Sequence, residues 1–547
     1  MGLVSATNAL LILFCYIVYK QILSYLSFRR FEQFAHRNGC EPPPPGPSKW
    51  PWSLDRFIRV LRIGQTGEDL LDDYLCSAYK ELGRYTYFGT GPFGKRSVQT
   101  IEPDNIKAIL ATNFKDYELA SGRYKQFSPL LGKGIFTTDG EAWEHSRALF
   151  RPQFARDMIN DLDSIERHVQ ALFRAIPKAN DGWTTEFDLM PLLFRLTLDT
   201  ATEFLFGESV NTQSSKNPYT ALSGQRGRDV GNSRIAKSKT AMDYDEAFTI
   251  IGHYVYKRMR YHFLYFVADG FEFRNAIRTL KGFADLYVRK AFESAKHDIE
   301  KRPSATDGRK EKFVLLKALV QDTQDPEKLR DELLALLLAG RDTTSSFLTW
   351  VFLLLCRNPR VFNKLRNEIM STFPPNARKS QENLSFASLK SCRYLQHTML
   401  ETLRLYSIIY VNIRVAIRNT VLPIGGGPSG TAPLAVKKDD AIIYSTYALH
   451  RRPDLWGPDP DQFRPERWEG RKSGWDFLPF NGGPRVCLGQ QYALTETGYV
   501  IVRMLQTFDK IEGIGPGTSA DEKPNKALGV TLYPRDGIKI RLRIAND

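Results

Sequence analysis

Hydrophobic residues are distributed unevenly along this chain of 547 residues. Residues 3–26 are mostly apolar, and the cleanest run among them covers residues 9–19. A bilayer core of about 30 Å needs about 20 helical residues, so a span here must tolerate Asn8, Lys20 and Gln21. The pattern predicts one membrane-spanning helix near the N-terminus, and no second long apolar run follows it.

A cleaved signal peptide is the alternative interpretation of this segment, because its clean apolar run also fits the core of a signal sequence. No small-x-small cleavage site follows the run, so we favour a retained anchor. Arg29, Arg30 and Arg37 come after the span. By the positive-inside tendency, they place the large C-terminal part of the chain in the cytosol.

The remainder of the chain has mainly helical patterning. The longest predicted helix has a cap at Asp325, Pro326 in its first turn and an end at Asn358, which precedes a proline. Another helix is predicted to start at Gln490. Short strands are predicted at residues 84–87, 411–416, 441–444 and 538–544. The predicted fold class is mainly α with a small β region.

A proline-rich segment separates the apolar N-terminus from the rest of the chain. Residues 42–47 read Pro-Pro-Pro-Pro-Gly-Pro, which predicts a stiff, extended connector. We therefore expect an N-terminal membrane anchor over residues 1–28, a basic and proline-rich linker over 29–50, and one soluble domain over 51–547.

Composition narrows the possible partners. The net charge of +15 suits an acidic partner or an anionic membrane surface. No recognition motif for nucleic acid accompanies this charge, so we expect no nucleic-acid partner. Part of the excess lies at residues 209–240, where six basic residues face one aspartate and the polar sequence predicts a loop. The six cysteines lack metal-site spacing and disulfide density, which fits a reducing compartment.

One of these cysteines, Cys487, lies in an unusual context. Residues 480–489 read Phe-Asn-Gly-Gly-Pro-Arg-Val-Cys-Leu-Gly and lead into the predicted helix. The glycines and the helix N-terminus can direct backbone N–H groups at the sulfur, which stabilises a thiolate able to ligate a heme iron. Phe480 can cover the sulfur, and Arg485 can pair with a heme propionate. A buried, inert cysteine is one alternative, and a zinc site is another, although no second ligand stands nearby.

The spacing of Phe480, Gly483, Arg485, Cys487 and Gly489 resembles the cysteine-ligand loop of the cytochrome P450 superfamily, the heme-thiolate monooxygenases. This resemblance extends in motif order from the proline-rich segment to the C-terminus. It implies the single-domain cytochrome P450 fold, preceded here by one transmembrane helix. It also implies a heme b cofactor, with Cys487 as the axial ligand of the iron and the other loop residues around it.

The long predicted helix contains Ala-Gly-Arg-Asp-Thr-Thr at residues 339–344, which resembles the oxygen-activation motif of the family. The resemblance implies that Asp342 and Thr343 are catalytic residues that deliver protons during cleavage of the O–O bond. The alternative is that the threonine hydroxyl bonds back to a carbonyl one turn earlier and has no catalytic role.

Two further groups of residues match the family by motif. Glu401 and Arg404 form its Glu-x-x-Arg signature, and Arg467 lies in a downstream Phe-Arg-Pro-Glu-Arg-Trp motif, which implies a buried structural triad. Trp143, Arg147 and Arg414 match the positions that contact heme propionates. His450 also fits the family pattern, although a capping or internally bonded histidine explains it equally well.

The finer resemblance is to the fungal branch that oxidises n-alkanes and fatty acids. Segments 128–136, 145–147, 151–156 and 477–485 carry it. Two features depart from this branch: Ser407 stands where it usually has proline, and the basic segment at 209–240 is longer than the branch pattern leads us to expect. The resemblance implies a monooxygenase that hydroxylates a hydrophobic small molecule, a long-chain fatty acid or alkane, with O2 and electrons from an NADPH-dependent flavoprotein reductase.

The resemblance also implies a single-pass protein of the endoplasmic reticulum membrane with a cytosolic catalytic domain. Fold analogy does not set the substrate, so tailoring of a polyketide, terpenoid or lipopeptide in fungal secondary metabolism is the second hypothesis. A heme isomerase of hydroperoxides and a non-catalytic heme protein are further alternatives. Neither of these needs the acid and alcohol pair at Asp342 and Thr343.

Overall fold

A computed structural model describes residues 6–63, 68–91, 95–119, 121–154, 161–179, 181–214, 244–300, 315–323, 325–374 and 384–545. Most of the basic segment predicted at 209–240 lies outside these residues. The chain forms two compact units. The first comprises Met1–Glu118, Val411–Leu449 and Gly482–Arg485, and the second comprises Leu119–Tyr410, His450–Asn481 and Val486–Asp547.

Helices dominate the described residues, as the sequence predicts. They are α1 (Ala6–Arg37), α2 (Leu54–Arg62), α3 (Ser77–Leu82), α4 (Pro103–Lys107), α5 (Ser121–Leu131), α6 (Gly140–Phe150), α7 (Leu162–Ala175), α8 (Leu189–Phe206), α9 (Tyr244–Tyr261), α10 (Phe271–Glu300), α11 (Leu315–Asp322), α12 (Pro326–Arg357), α13 (Pro359–Thr372), α14 (Phe386–Ser391), α15 (Arg393–Leu405), α16 (Thr446–Leu449), α17 (Pro453–Trp456) and α18 (Gln490–Thr507).

The strands are short and form small sheets. They are β1 (Thr86–Thr90), β2 (Arg96–Thr100), β3 (Tyr117–Glu118), β4 (Phe187–Asp188), β5 (Asn412–Ala416), β6 (Thr420–Gly426), β7 (Ala432–Val436), β8 (Ala441–Tyr444), β9 (Phe508–Gly513), β10 (Lys526–Leu528), β11 (Leu532–Pro534) and β12 (Lys539–Ile544). Three predicted strands are confirmed as β5, β8 and β12. The prediction at 84–87 was placed too early, because β1 begins at Thr86 and ends at Thr90.

Helix α1 carries the apolar segment predicted as a membrane anchor. Within the described residues it is the one helix long and apolar enough to cross a membrane, and no residue of its most apolar 18-residue stretch is buried, whereas Phe31 near its C-terminal end is buried. Leu11 and Phe14 are 64% and 66% exposed. This exposure of large apolar side chains fits an anchor better than a core helix. The helix continues to Arg37, beyond the predicted anchor boundary at residue 28.

The first unit is built on a sheet with the strand order β1-β2-β8-β5-β3. Its proline-rich segment is paired with this sheet. The Phe88 N–H donates to the Pro44 carbonyl across 2.8 Å, and the Gly46 N–H donates to the Phe88 carbonyl across 2.7 Å. The extended proline backbone offers carbonyl groups that an edge strand can bind, so the segment at 42–47 is joined to β1, which the sequence did not predict.

The second unit contains the long helix α12, whose predicted ends are confirmed. The Asp325 side chain accepts hydrogen bonds from the N–H groups of Glu327 and Lys328, and Asn358 follows the last helical residue. Most of the helix is buried. Its Trp350 indole N–H donates to the Leu532 carbonyl across 2.8 Å, so the helix is joined to strand β11. Helix α12 thus brings the predicted oxygen-activation motif into the core of this unit.

Candidate active site

The predicted cysteine loop ends where helix α18 begins, at Gln490. The Cys487 N–H donates to the Phe480 carbonyl across 3.0 Å, which closes the loop behind the sulfur. The Gly489 backbone N–H donates to the Cys487 thiol group. In the first unit, Gly483 has φ +67°, and a Cβ there would lie 1.8 Å from the Leu110 carbonyl oxygen. The tight loop predicted from the glycines is therefore present.

The Cys487 sulfur has two properties that suit a ligand. Its side chain is exposed, although the surrounding protein desolvates the thiol and thereby raises its pKa. The Gly489 N–H and the Arg147 guanidinium act in the opposite direction and lower that pKa. An accessible sulfur that is also desolvated lies in a recess of the protein. A bound metal cation would shift the balance to the thiolate, because a coordinated thiol is deprotonated.

Helix α6 carries Trp143 and Arg147, the two residues of the second unit that are predicted to contact heme propionates. Trp143 is buried, and the Arg147 guanidinium carbon lies 5.8 Å from the centre of its indole ring. Arg147 donates through Nη1 to the Val486 carbonyl across 3.0 Å. Burial and the charge of Arg151 lower the pKa of Arg147, while Cys487 raises it. Arg147 thus lies beside the cysteine loop, and its contact with a propionate stays a prediction.

Arg414 and Arg485 belong to the first unit. Arg414 is buried in strand β5, donates through Nη1 to the Ile413 carbonyl across 2.9 Å and lies 6.0 Å from the ring centre of Tyr444. Arg485 ends a short 3₁₀ turn, Gly483–Arg485. Their predicted role, pairing with heme propionates, stays a prediction.

The structure brings Glu401, Arg404 and Arg467 together. Arg404 donates from Nε and Nη2 to the two Glu401 carboxylate oxygens across 2.9 and 2.8 Å, and Arg467 donates from Nε across 3.3 Å. Glu401 and Arg404 have no exposed surface. The Trp468 indole N–H and the Arg464 backbone N–H also donate to this carboxylate, at 3.0 and 3.1 Å. The sequence did not single out these last two donors.

The Thr343 hydroxyl lies in helix α12 and donates to the Ala339 carbonyl across 2.6 Å. This is the backbone-bonded geometry considered as the alternative for this residue. The hydroxyl proton of Thr343 is used in the bond to the Ala339 carbonyl. The hydroxyl oxygen can still accept a hydrogen bond from water or a ligand. The geometry is therefore compatible with either role.

Asp342 has a partner that the sequence did not indicate. The Arg341 Nη1 group donates to the Asp342 carboxylate across 2.5 Å, and its Nη2 group donates to the carboxylate of Asp245 in helix α9. Arg341 is fully enclosed. Burial raises the pKa of Asp342, and Arg341 counteracts this rise. The motif acid is thus held by a buried cation that also binds a second helix.

Comparison with known proteins identifies the family. A family model described as cytochrome P450 matches residues 44–535. The chain belongs to the cytochrome P450 family. Cytochrome P450 monooxygenase g430 of a Fusarium species is 41% identical to it over 94% of this chain and 87% of the relative. Cytochrome P450 52A3-B of Candida maltosa is 39% identical over 93% of each chain. Cytochrome P450 monooxygenase alt2 of Alternaria solani is 38% identical over 88% of this chain and 87% of the relative.

A solved structure supports the fold. The crystal structure of the cytochrome P450DA heme domain superimposes with a TM-score of 0.70 at 19% identity, over 93% of this chain and 98% of that one. The mainly helical cytochrome P450 fold is thereby confirmed. As a member of the family, the protein is a cytochrome P450 monooxygenase with a heme-thiolate cofactor, O2 as a substrate and a redox partner.

The residues of the second unit fit this cofactor. Cys487 offers an accessible sulfur, the Gly489 N–H points to it, and the Arg147 cation lies near it. The N–H and the cation stabilise negative charge on the sulfur, which is the form that binds iron, against the desolvation that opposes it. This cytochrome P450 therefore has the donor set that a heme-thiolate site requires.

Several buried carboxylates of this cytochrome P450 were not anticipated, and Glu332 and Glu496 are two of them. Glu332, in helix α12, accepts from the Ile135 N–H across 2.9 Å and from the Ser146 hydroxyl. Glu496, in helix α18, accepts from the Thr200 hydroxyl across 2.5 Å. Burial raises the pKa of both, that of Glu496 to about 7. The sequence signal for such residues is an acid that stands at an apolar position of a helical pattern.

Proposed function

We propose that this cytochrome P450 hydroxylates a long hydrophobic substrate, a long-chain fatty acid or an n-alkane. The observation that carries the proposal is the resemblance of segments 128–136, 145–147, 151–156 and 477–485 to the fungal branch that oxidises such molecules. The similarity to cytochrome P450 52A3-B extends along nearly the whole chain and supports a shared architecture. A long apolar substrate is also consistent with an enzyme held at a membrane by α1.

In this proposal Cys487 holds the heme and Glu401, Arg404 and Arg467 stabilise the fold beside it. The heme, when bound, supplies the activation of O2 and the insertion of one oxygen atom into a C–H bond. Asp342 and Thr343 move protons towards the oxygen site. Burial favours the protonated form of Asp342, and the Thr343 oxygen can accept a hydrogen bond from a water between the two.

The electron donor is proposed to be a separate NADPH-dependent flavoprotein reductase. The chain carries no nicotinamide fingerprint, and its net charge of +15 suits an acidic docking face. We place the protein in the endoplasmic reticulum membrane as a single-pass protein with a cytosolic catalytic domain. The division into an anchor at 1–28, a linker at 29–50 and a domain at 51–547 is part of this proposal.

Tailoring oxidation of a polyketide, terpenoid or lipopeptide is the second candidate. Overall identity does not decide between the two candidates, because several relatives with different names match this chain about equally, at 41%, 39% and 38%. The departure at Ser407 and the basic segment at 209–240 also distinguish this chain from the alkane-oxidising branch.

Product analysis tests the proposal. Microsomes that contain the full chain and a reductase would receive NADPH and a panel of fatty acids, alkanes and polyketide-like compounds. We expect substrate-dependent O2 consumption and hydroxylated fatty acids or alkanes, with none from a Cys487→Ala control. Turnover confined to the polyketide-like compounds would contradict the substrate assignment. Hydroperoxide rearrangement without O2 consumption, or heme binding without turnover, would support the isomerase or the non-catalytic protein.

A further inference from the structure

Ser407, the departure from the branch pattern, lies just beyond helix α15 and has no exposed surface. Its hydroxyl oxygen is 3.1 Å from the Leu403 carbonyl and 2.8 Å from Nδ1 of His450. A serine in this position can therefore join the end of the helix to a residue 43 positions further along the chain. The proline that usually occupies this position has no hydroxyl with which to do so.

The direction of each hydrogen bond follows from its partners. The Leu478 backbone N–H lies 2.9 Å from Nε2 of His450, and a backbone N–H can only donate. Nε2 must then accept, so the neutral imidazole carries its proton on Nδ1. That Nδ1–H donates to the Ser407 oxygen, and the serine hydroxyl donates to the Leu403 carbonyl.

Burial keeps His450 in the neutral form that this arrangement needs. The side chain has no exposed surface, and desolvation together with the charges of Arg404 and Arg451 lowers its pKa well below the ordinary value. The ring also packs on Phe477, with 5.1 Å between ring centres. His450 is thus an internally bonded histidine, one of the two interpretations that its sequence context allowed.

The residue held by His450, Leu478, lies two positions before the cysteine loop. The Leu478 carbonyl accepts from the Asn481 N–H across 3.1 Å, and the Phe480 carbonyl accepts from the Cys487 N–H across 3.0 Å. A hydrogen-bonded path therefore leads from the end of α15, through Ser407 and His450, to the turn that fixes Cys487.

We propose that Ser407 and His450 are positioning residues for the heme ligand. Their hydrogen bonds hold the backbone at Leu478 and thereby fix the direction in which the loop presents the Cys487 sulfur. This role rests on heme ligation by Cys487 and does not depend on which substrate the enzyme oxidises.

Substitution of Ser407 tests this role against a matched control. Ser407→Ala removes the hydroxyl oxygen that accepts from the buried Nδ1–H of His450, whereas Ser407→Thr keeps it. Thr398→Val is the control, because Thr398 is equally buried in α15 and its hydroxyl donates to the Tyr394 carbonyl across 2.7 Å. Thr398→Val removes only that bond within the helix and changes no hydrogen bond to His450 or Leu478.

The main readout is the carbon monoxide complex of the ferrous full-length protein. We expect Ser407→Ala to lose the red-shifted band of thiolate ligation about tenfold faster than the parent, since it removes a buried hydrogen bond that joins α15 to His450. Ser407→Thr should be close to the parent, and Thr398→Val should change the rate less than about twofold. Hydrogen exchange at residues 478–487 should accelerate only in Ser407→Ala.

Two results would overturn the proposal. In the first, Ser407→Ala and Thr398→Val alter the ligation rate and the exchange equally. In the second, Ser407→Ala lowers the unfolding temperature but leaves both readouts unchanged. If Ser407→Ala does not retain heme, Ser407→Cys provides the comparison, because its weakly accepting sulfur should give an intermediate rate. Neither readout requires a substrate. The proposal can therefore hold even if the product analysis shows no hydroxylated fatty acid or alkane.

Discussion

The Arg258 guanidinium, in helix α9, donates to the Lys125 carbonyl in helix α5 across 2.6 Å. Pro129 explains why this carbonyl is available, because proline lacks the N–H that would bond to it within the helix. Arg258 also binds the Gln126 carbonyl at 2.9 Å and the Asp269 carboxylate, and it is fully buried. One side chain from α9 thus supplies the donor that α5 lacks.

A double-mutant cycle measures this relationship. Pro129→Ala restores an intrahelical donor for the Lys125 carbonyl, so Arg258→Met should then cost less free energy of unfolding than it does in the parent. We expect a coupling energy of about 1 to 2 kcal/mol. Pro326→Ala is the control partner, because a proline in the first turn of a helix withholds no needed donor. Additive effects for both pairs would contradict the explanation.

The buried carboxylate of Glu401 should be essential to the fold. Glu401→Gln leaves the Arg404 and Arg467 guanidinium groups without their counter-charge, which should cost about 3 to 5 kcal/mol of unfolding free energy. Glu512→Gln removes a partly exposed pair with Arg541 and should cost below about 1 kcal/mol. Denaturant unfolding and the heme content per chain provide the measurements. Equal losses in the two variants would refute the structural role.

Thr343 can be tested for a catalytic role by the fate of electrons. Thr343→Ala should retain heme but lower the fraction of NADPH electrons that reach product by about tenfold, with a matching rise in peroxide. Ser345→Ala is the control, because that buried hydroxyl also bonds back to its own helix, at the Arg341 carbonyl. Unchanged coupling in Thr343→Ala would leave the threonine with the backbone-bonded role alone.

Glu496 should make stability depend on pH. Its pKa of about 7 in the folded protein lies above its ordinary value of 4.5, so folding favours the protonated form. The stabilisation is complete below pH 4.5 and is lost as the pH rises to about 7. Glu496→Gln cannot ionise, so its stability relative to the parent should increase over this window by about 3 kcal/mol. Unfolding measured at several pH values would show a constant difference if this carboxylate does not titrate there.

Local sequence rules predicted the features of the fold that depend on neighbouring residues. The cap at Asp325 and the helix start at Gln490 follow from side chains within a few positions. The association of Glu401 with Arg467 was predictable because both lie in motifs of a recognised family. The pairing of the proline-rich segment with Phe88 was not predicted, since it depends on a strand distant in sequence.

The contacts that the sequence did not reveal join residues far apart in the chain. Arg341 and Asp245 are 96 positions apart, and Asp245 does not belong to any motif recognised in the sequence. Ser407 was visible only as a departure from a pattern, and its bond to His450 depends on how two segments pack. Such contacts are set by tertiary packing, which local propensity and periodicity do not encode.

The central claim is that Cys487 is the thiolate ligand of the heme iron, and the carbon monoxide spectrum of the reduced protein tests it most directly. The parent and a Cys356→Ala control, which removes a buried cysteine, should both give the red-shifted band of a thiolate-ligated ferrous heme. Cys487→Ala should lack that band. A Cys487→Ala protein that retains it would contradict the account.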